Sequence, residues 1–298
     1  MPFSRREFLA ASTATVIASS LAPAAEPKPK KLVLLAGTPS HGPGDHEFNA
    51  GVQLLDKCLK QVKGLETVVV LNGYPKDDSI LDTADAILCY ADGSDRHPLV
   101  LEKRLERIGA LMKKGVGLMC AHFGVEVKKD LGGPEFQNWI GGYYEHMYSC
   151  NPFWSPEFKT FPDHPICRGV KPFTIRDEWY FNMRFRDEMK GITPILSAIP
   201  SDKVRNGPYV YPQGPYKHIQ EATGRSEAMM WAYERPDGGR GVGFTGGHVH
   251  RNWLEPNFRK VAMNALLWIC KIDVPKDGVE STVTEDDIKA NLDPKGKK

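Results

Sequence analysis

Histidine and carboxylate side chains recur in this chain where an apolar run gives way to a loop. His41, Asp45, His46 and Glu47 follow the run at 31–36, and His122 follows the run at 117–121. Asp177 and Glu178 come just after the run that starts at Phe173, His248 and His250 follow a segment ending at Thr245, and Glu145 and His146 close Gly141-Gly142-Tyr143-Tyr144-Glu145-His146. The whole chain has 9 His, so this placement limits the chemistry to what imidazole and carboxylate do together. One reading is a divalent metal ion with a position left open for water, for which His122, His146 and His248 are candidate ligands. The chain contains neither His-Glu-x-x-His nor a pair of Cys-x-x-Cys, so such a site must be assembled from separate loops. A second reading needs no cofactor: His122, Glu178 and His248 act as proton carriers. A third gives the same histidines only the task of tying loops together by hydrogen bonds.

Aromatic side chains crowd the same loops. With 6 Trp, 10 Tyr and 13 Phe, the chain can offer flat faces to a sugar, and Tyr144, Trp179, Tyr180 and Trp253, with His41, His46 and His146, are candidate carbohydrate-binding residues. Each of these rings could equally cover the edge of a sheet. Cys120 ends an apolar run and reads as a small buried hydrophobe, as do Cys58, Cys89 and Cys270. Cys150 and Cys167 lie in loop territory and are the one candidate disulfide. No phosphate loop is present, because residues 37–44 contain Pro39 and Pro43 and lack the Lys-Ser/Thr of a nucleotide site.

These loops need rigid elements to position them. Continuous apolar runs at 31–36, 67–71, 85–90 and 117–121 have the pattern of strands covered on both faces. Phe48, Val52, Leu55, Leu59 and Val62 make one helical stripe; Leu101, Leu105, Ile108 and Met112 make another. The order β-α-β-β-α-β predicts an α/β protein with an open, mostly parallel sheet flanked by helices. Strands are expected near 173–176 and 193–197, a hairpin at 228–233 and 241–245 across Pro236-Asp237-Gly238-Gly239, and a closing helix on Phe258, Val261, Ala262, Ala265 and Ile269. Residues 151–172 and 205–224 lack periodicity and read as long inserted loops.

Composition narrows the class further. At 298 residues, 41% hydrophobic and 26% charged, the chain is globular rather than disordered or coiled-coil. Its 39 Lys+Arg against 37 Asp+Glu leave +2, which gives no nucleic-acid footprint. Ser4-Arg5-Arg6-Glu7-Phe8-Leu9, the weakly apolar run to Leu21 and Ala22-Pro23-Ala24 read as a twin-arginine signal peptide over residues 1–25. No later segment has the ~20 apolar residues of a membrane span, so the mature chain is expected to be soluble in the periplasm or outside the cell. The main domain then covers 26–272, and residues 273–298, charged and nearly free of large apolar side chains, are expected to be a frayed tail.

Six ordered motifs carry a family resemblance. They are the Gly-x-x-x-His-Gly loop ending in His46-Glu47, Ala121-His122, Gly142 to His146, Asp163-His164-Pro165-Ile166, Asp177-Glu178-x-Tyr180, and Gly247-His248 followed by Trp253 and Asn264-Ala265-x-x-Trp268. With these, residues 31–272 resemble the ThuA-like (trehalose utilisation) domains, a branch of the class I glutamine amidotransferase-like, flavodoxin-like fold. The resemblance implies carbohydrate utilisation, with chemistry on glycosides or their 3-keto derivatives by hydrolysis or elimination. It also implies no glutaminase activity, since His122 stands where amidotransferases carry their nucleophilic Cys and no late His-Pro-Glu follows. A non-catalytic sugar-binding or partner-binding domain is the competing expectation.

Overall fold

The computed structural model describes residues 28–296, so the twin-arginine run lies outside the described residues. Seven strands make the central sheet: β1 (Lys30–Ala36), β2 (Leu65–Val70), β3 (Ala86–Tyr90), β4 (Gly117–Ala121), β5 (Ile192–Ala198), β6 (Glu227–Glu234) and β7 (Arg240–Phe244), in the order β5-β6-β7-β4-β3-β1-β2. From β2 to β7 all neighbours are parallel; β6 and β5 add an antiparallel edge. The helices that flank it are α1 (Phe48–Leu59), α2 (Arg104–Lys113), α3 (Lys129–Trp139) and α4 (Pro256–Ile269).

Strand β1 explains why its sequence has no polar face. Leu32, Leu34 and Ala36 pack with Phe48 and Leu55 of α1 and Val261 and Leu266 of α4. Val33 and Leu35 point the other way, into Ile108 and Leu111 of α2 and Phe136 of α3. Both faces are covered, and each fully buried aliphatic side chain contributes roughly 1.5–3 kcal/mol. Because β1, β3, β4 and β7 are adjacent and parallel, their carboxyl ends share one edge, where such sheets bind ligands. The loops carrying His46, Asp92, His122 and His248 all leave from that edge.

Several expectations need correcting. Phe173 and Thr174 do form a strand, but only a two-residue one that pairs with Glu157–Phe158 outside the main sheet. Helix α3 is hidden in the sequence by Gly132, Gly133 and Pro134, all poor helix formers; Gly133 is kept small because a Cβ there would meet the Tyr143 hydroxyl at 2.7 Å. All six cysteines are free thiols, Cys150 and Cys167 included. Cys150 is sealed in the core, where its backbone pairs with Phe181.

The charged C-terminal segment is docked on the body rather than frayed. Val274, Val279 and Ile288 are buried, and a fifth helix, α5 (Glu285–Lys289), is held by a Thr284/Asp287 capping box. His250 Nε2 donates to the Ile288 carbonyl at 3.1 Å. Beyond α5, the Asp293 N–H donates to Glu47 Oε2 at 2.9 Å, and Asn49 Nδ2 donates to Asp293 Oδ1 at 2.7 Å. Lys295 Nζ donates to the His46 carbonyl at 3.1 Å and to the Asp45 carbonyl, and pairs with Glu47 Oε1 at 3.3 Å. A segment with few apolar groups is thus fixed by polar contacts that hydropathy does not register. Among the described residues, no helix is long and apolar enough to cross a membrane.

Two outcomes are expected. Denatured protein should titrate six thiols with or without prior reduction, and two fewer in the unreduced sample would restore the Cys150–Cys167 bridge. Lys295→Met leaves the buried Glu47 carboxylate without its cation, so the unfolding free energy from denaturant titration should fall by about 3–5 kcal/mol; an unchanged value would mean the segment is not docked.

Candidate functional site

Each loop at the sheet edge is bent by a backbone that L-residues seldom adopt. His41 (φ 60°), His46 (φ 47°) and His122 (φ 51°) all occupy the left-handed region. Such strain persists only where the surroundings over-determine it, and it clusters at functional sites. At His122 it makes the elbow that turns the chain from β4 into a 3-10 turn, lifting the imidazole above the strand ends. The His248 loop is pinned by the buried carboxylate of Asp177, which accepts from the N–H groups of Gly247 (2.8 Å) and Val249 (3.2 Å). Asp177–Glu178 pairs with Phe153–Trp154 as a short ladder, and that pairing brings in Glu178.

Four side chains from these separate loops meet, all of them buried: His46, His122, Glu178 and His248. His46 Nε2 lies 3.0 Å from His122 Nε2 and 3.0 Å from His248 Nδ1. His248 Nδ1 is 3.3 Å from His122 Nε2 and 2.6 Å from Glu178 Oε2, which is 3.6 Å from His122 Nε2. A tetrahedral ion with bonds of about 2.0–2.1 Å holds its ligand atoms roughly 3.3 Å apart, and these separations bracket that figure.

The outer partners decide which nitrogen carries each proton. His122 Nδ1 faces the Thr245 carbonyl at 3.0 Å; a carbonyl only accepts, so Nδ1 donates and Nε2 turns a lone pair inward. His46 Nδ1 donates to Asp92 Oδ1 at 2.9 Å, with the same result at its Nε2. His248 differs: its Nδ1 donates to Glu178 Oε2 at 2.6 Å, while its Nε2 lies 3.6 Å from Asp45 Oδ1, beyond hydrogen-bond reach. The inward lone pairs of His46 and His122 thus meet the His248–Glu178 pair and its proton, a donor set that could take a divalent ion in place of that proton.

The electrostatics agree. Burial, followed by the neighbouring histidines, holds the His46 and His122 imidazoles well below their ordinary pKa, so both are neutral ligands. Burial alone would also lower His248, but its hydrogen bond to Glu178 and the charges of Glu178, Asp45 and Asp177 outweigh it and raise the value. Without a metal, a proton between His248 and Glu178 is the cation that holds the pair at 2.6 Å. Glu178 Oε1 is occupied separately, accepting from Asn151 Nδ2 at 2.8 Å.

The cluster opens into a cavity of about 960 Å³ whose wall includes His41, His46, Glu126, Asn151, Glu178 and Tyr180, near the upper end of the ~300–1,000 Å³ typical of small-molecule sites. Tyr180 is well placed, with its hydroxyl 3.3 Å from His122 Nε2. His41 stacks on His46, ring centroids 3.6 Å apart. His146 is exposed on the cavity wall beside Tyr211 and lies outside the four-residue group, so His46 and Glu178 take the places the sequence reading left to it. Trp179, Trp253 and Tyr144 are buried rather than lining the cavity. Trp179 supports the His248 loop from below, so close that a Cβ on Gly246 would meet its ring at 2.6 Å. Cys120 is sealed in the core and burial pushes its thiol far up, which rules out a nucleophile there.

Sequence reasoning missed Asp92, Glu126 and Asn151. Asp92 satisfies the rule that found the histidines, since it follows β3 directly. Glu126 also lies in the loop after β4, just past the 3-10 turn that starts at His122, whereas Asn151 follows no strand of the main sheet. Glu126 is pushed up to about 8 by burial, then by the charges of Glu178 and Asp95 against a hydrogen bond from Ser94. It therefore keeps its proton at neutral pH.

Residues 33–269 match the ThuA family, described as trehalose utilisation. A solved ThuA-like protein from Bacteroides uniformis is 17% identical, with a TM-score of 0.55 over 85% of this chain and 96% of that one. Another, from Parabacteroides merdae, is 15% identical, with a TM-score of 0.56 over 87% and 94%. At that identity the likeness shows the fold, a mostly parallel sheet with flanking helices. No curated protein matches the chain. The matched segment takes in the central sheet and every loop that brings a donor atom to the cluster, and over that span the chain belongs to the ThuA family of trehalose utilisation.

Proposed function

We propose that this protein binds a divalent ion through His46, His122, His248 and Glu178 and acts on glycosides or 3-keto-glycosides in the cavity above it. The observation that carries the reading is the convergence of three buried imidazoles and one carboxylate oxygen, with His46 and His122 turned inward by their outer partners. An ion bound there would polarise a substrate ketone or hydroxyl oxygen as a Lewis acid.

The chain's own residues supply the proton transfers. Burial, ahead of the opposing charge of Asp92, lowers the pKa of His41, so its imidazole is a free base at neutral pH, while Glu126 on the same cavity wall is a protonated acid. Two groups whose environments hold them in opposite states form an acid–base pair. On a 3-keto-glycoside, His41 takes the proton from the carbon next to the ketone, the glycosidic C–O bond breaks, and Glu126 gives its proton to the departing oxygen. Water then adds to the resulting enone if the outcome is hydrolysis. Tyr180 and Asn151 offer a hydroxyl and a carboxamide to sugar hydroxyls. The twin-arginine run at Arg5-Arg6 supports export of the folded, loaded chain to the periplasm or beyond, the compartment we assign to it.

Elemental analysis of purified protein should find one divalent ion per chain, lost in His122→Ala and Glu178→Gln together with turnover of 3-keto-glycosides. Asp92→Asn, which removes the charge behind His46 and beside His41, should weaken ion binding by about 10- to 100-fold. Wild-type protein that takes up no ion in calorimetric titration would overturn the metal reading, and sugar binding without product would reassign the chain to a non-catalytic binding role. The pH profile has a definite sign. Activity should appear as pH rises through the lowered pKa of His41, below its usual 6.5, and fall as pH passes about 8, where Glu126 loses its proton; Glu126→Gln should lower the rate about 100-fold and abolish the alkaline fall.

A further inference from the structure

The buried Trp179 and Trp253 leave the carbohydrate site without the flat platform that a sugar ring stacks on, and the cavity wall supplies one elsewhere. Among the described residues seven large hydrophobic side chains are exposed, and three of them, Leu131 (50%), Val210 (44%) and Tyr211 (70%), line this one cavity. Apolar exposure concentrated on the wall of a polar cavity marks a surface kept open for a ligand. We propose that Tyr211 is the stacking platform for the second ring of the substrate, the group attached through the scissile glycosidic bond. This rests on the carbohydrate reading above and assigns its substrate class: disaccharides and aryl glycosides rather than simple alkyl glycosides.

Three observations fix the platform relative to the chemistry. The segment that carries Tyr211 is held in place: Tyr209 is buried beneath it, the Tyr209 N–H donates to the Gln213 carbonyl at 3.0 Å, and the Val210 N–H donates to the Asn151 carbonyl at 3.2 Å. The Tyr211 N–H donates to Asn151 Oδ1 at 3.1 Å, and Nδ2 of the same carboxamide donates to Glu178 Oε1 at 2.8 Å. One side chain thus spans from the platform's backbone to the cluster, so the Tyr211 main chain stands one carboxamide from the buried carboxylate. The His146 ring, 5.9 Å from that of Tyr211 and tilted 35°, stands beside the phenol and widens the flat surface. The exposed phenol face has no partner to give up, so stacking there desolvates apolar area without breaking a hydrogen bond.

Calorimetric affinities of 4-nitrophenyl and methyl 3-keto-glucosides, each as both anomers, test the assignment in the full-length protein. Tyr211→Ala should weaken binding of the nitrophenyl compound by about 10-fold and leave the methyl compound within a factor of two, while Tyr211→Trp should restore the nitrophenyl affinity. Because the side chain is 70% exposed, neither substitution threatens the fold. Wild-type binding of both compounds that is indifferent to Tyr211, or an equal loss for both in Tyr211→Ala, would overturn the platform alone. Wild-type protein that binds neither compound would overturn the carbohydrate reading and the platform with it, while the ion content would still report on the cluster.

Discussion

Three imidazoles and a carboxylate meet in a dry interior, where His46 and His122 turn lone pairs inward and a proton ties His248 to Glu178. The rest of the active edge can be understood as the means of enforcing that contact. Asp92 and Thr245 hold the outward nitrogens of His46 and His122, Asp177 holds the loop behind His248, and Asn151 occupies the spare oxygen of Glu178. Remove those partners and His46 and His122 could turn an N–H inward, putting donors where the lone pairs now meet. The specificity of the cluster therefore resides in groups that never touch its centre.

The same contact explains the strained backbone. A histidine on a strand points above or below the sheet, but the ligand atoms must meet beyond its end. Left-handed φ values at His46 and His122 turn the side chains into that space, and the packed faces of β1 and β4 absorb the strain. The thiol of Cys120 lies on the strand, in the core, and the imidazole of His122 takes the turn that follows, where it is buried within the cluster.

Much of this was legible in the sequence, and the exceptions have physical causes. The strands at β1, β3 and β4 and the β6-β7 hairpin were readable because apolar runs covered on two faces have few alternatives. The parallel order then placed the His41–His46, His122 and His248 loops on one edge. What a one-dimensional pattern does not carry is which side of a loop faces inward: His46 and His146 are equally good ligands by type, and only the bend at φ 47° selects the former. Trp179 and Trp253 were read as sugar faces because Trp is amphipathic; the core took both, and Gly246 leaves room for the Trp179 indole beneath its loop. The C-terminal segment was unreadable for another reason, since Lys295 and Asp293 dock through charge and backbone carbonyls.

That docking links two places far apart along the chain. Lys295 grips the carbonyl of His46 across 249 positions, so during synthesis the loop after the first strand stays unfastened until nearly everything downstream has been made. An ion captured tightly only by the fastened loop would then be acquired late, by a polypeptide whose sheet is already assembled. Peeling back that segment would release the His46 carbonyl from Lys295 and so loosen the loop that brings the first imidazole to the buried cluster.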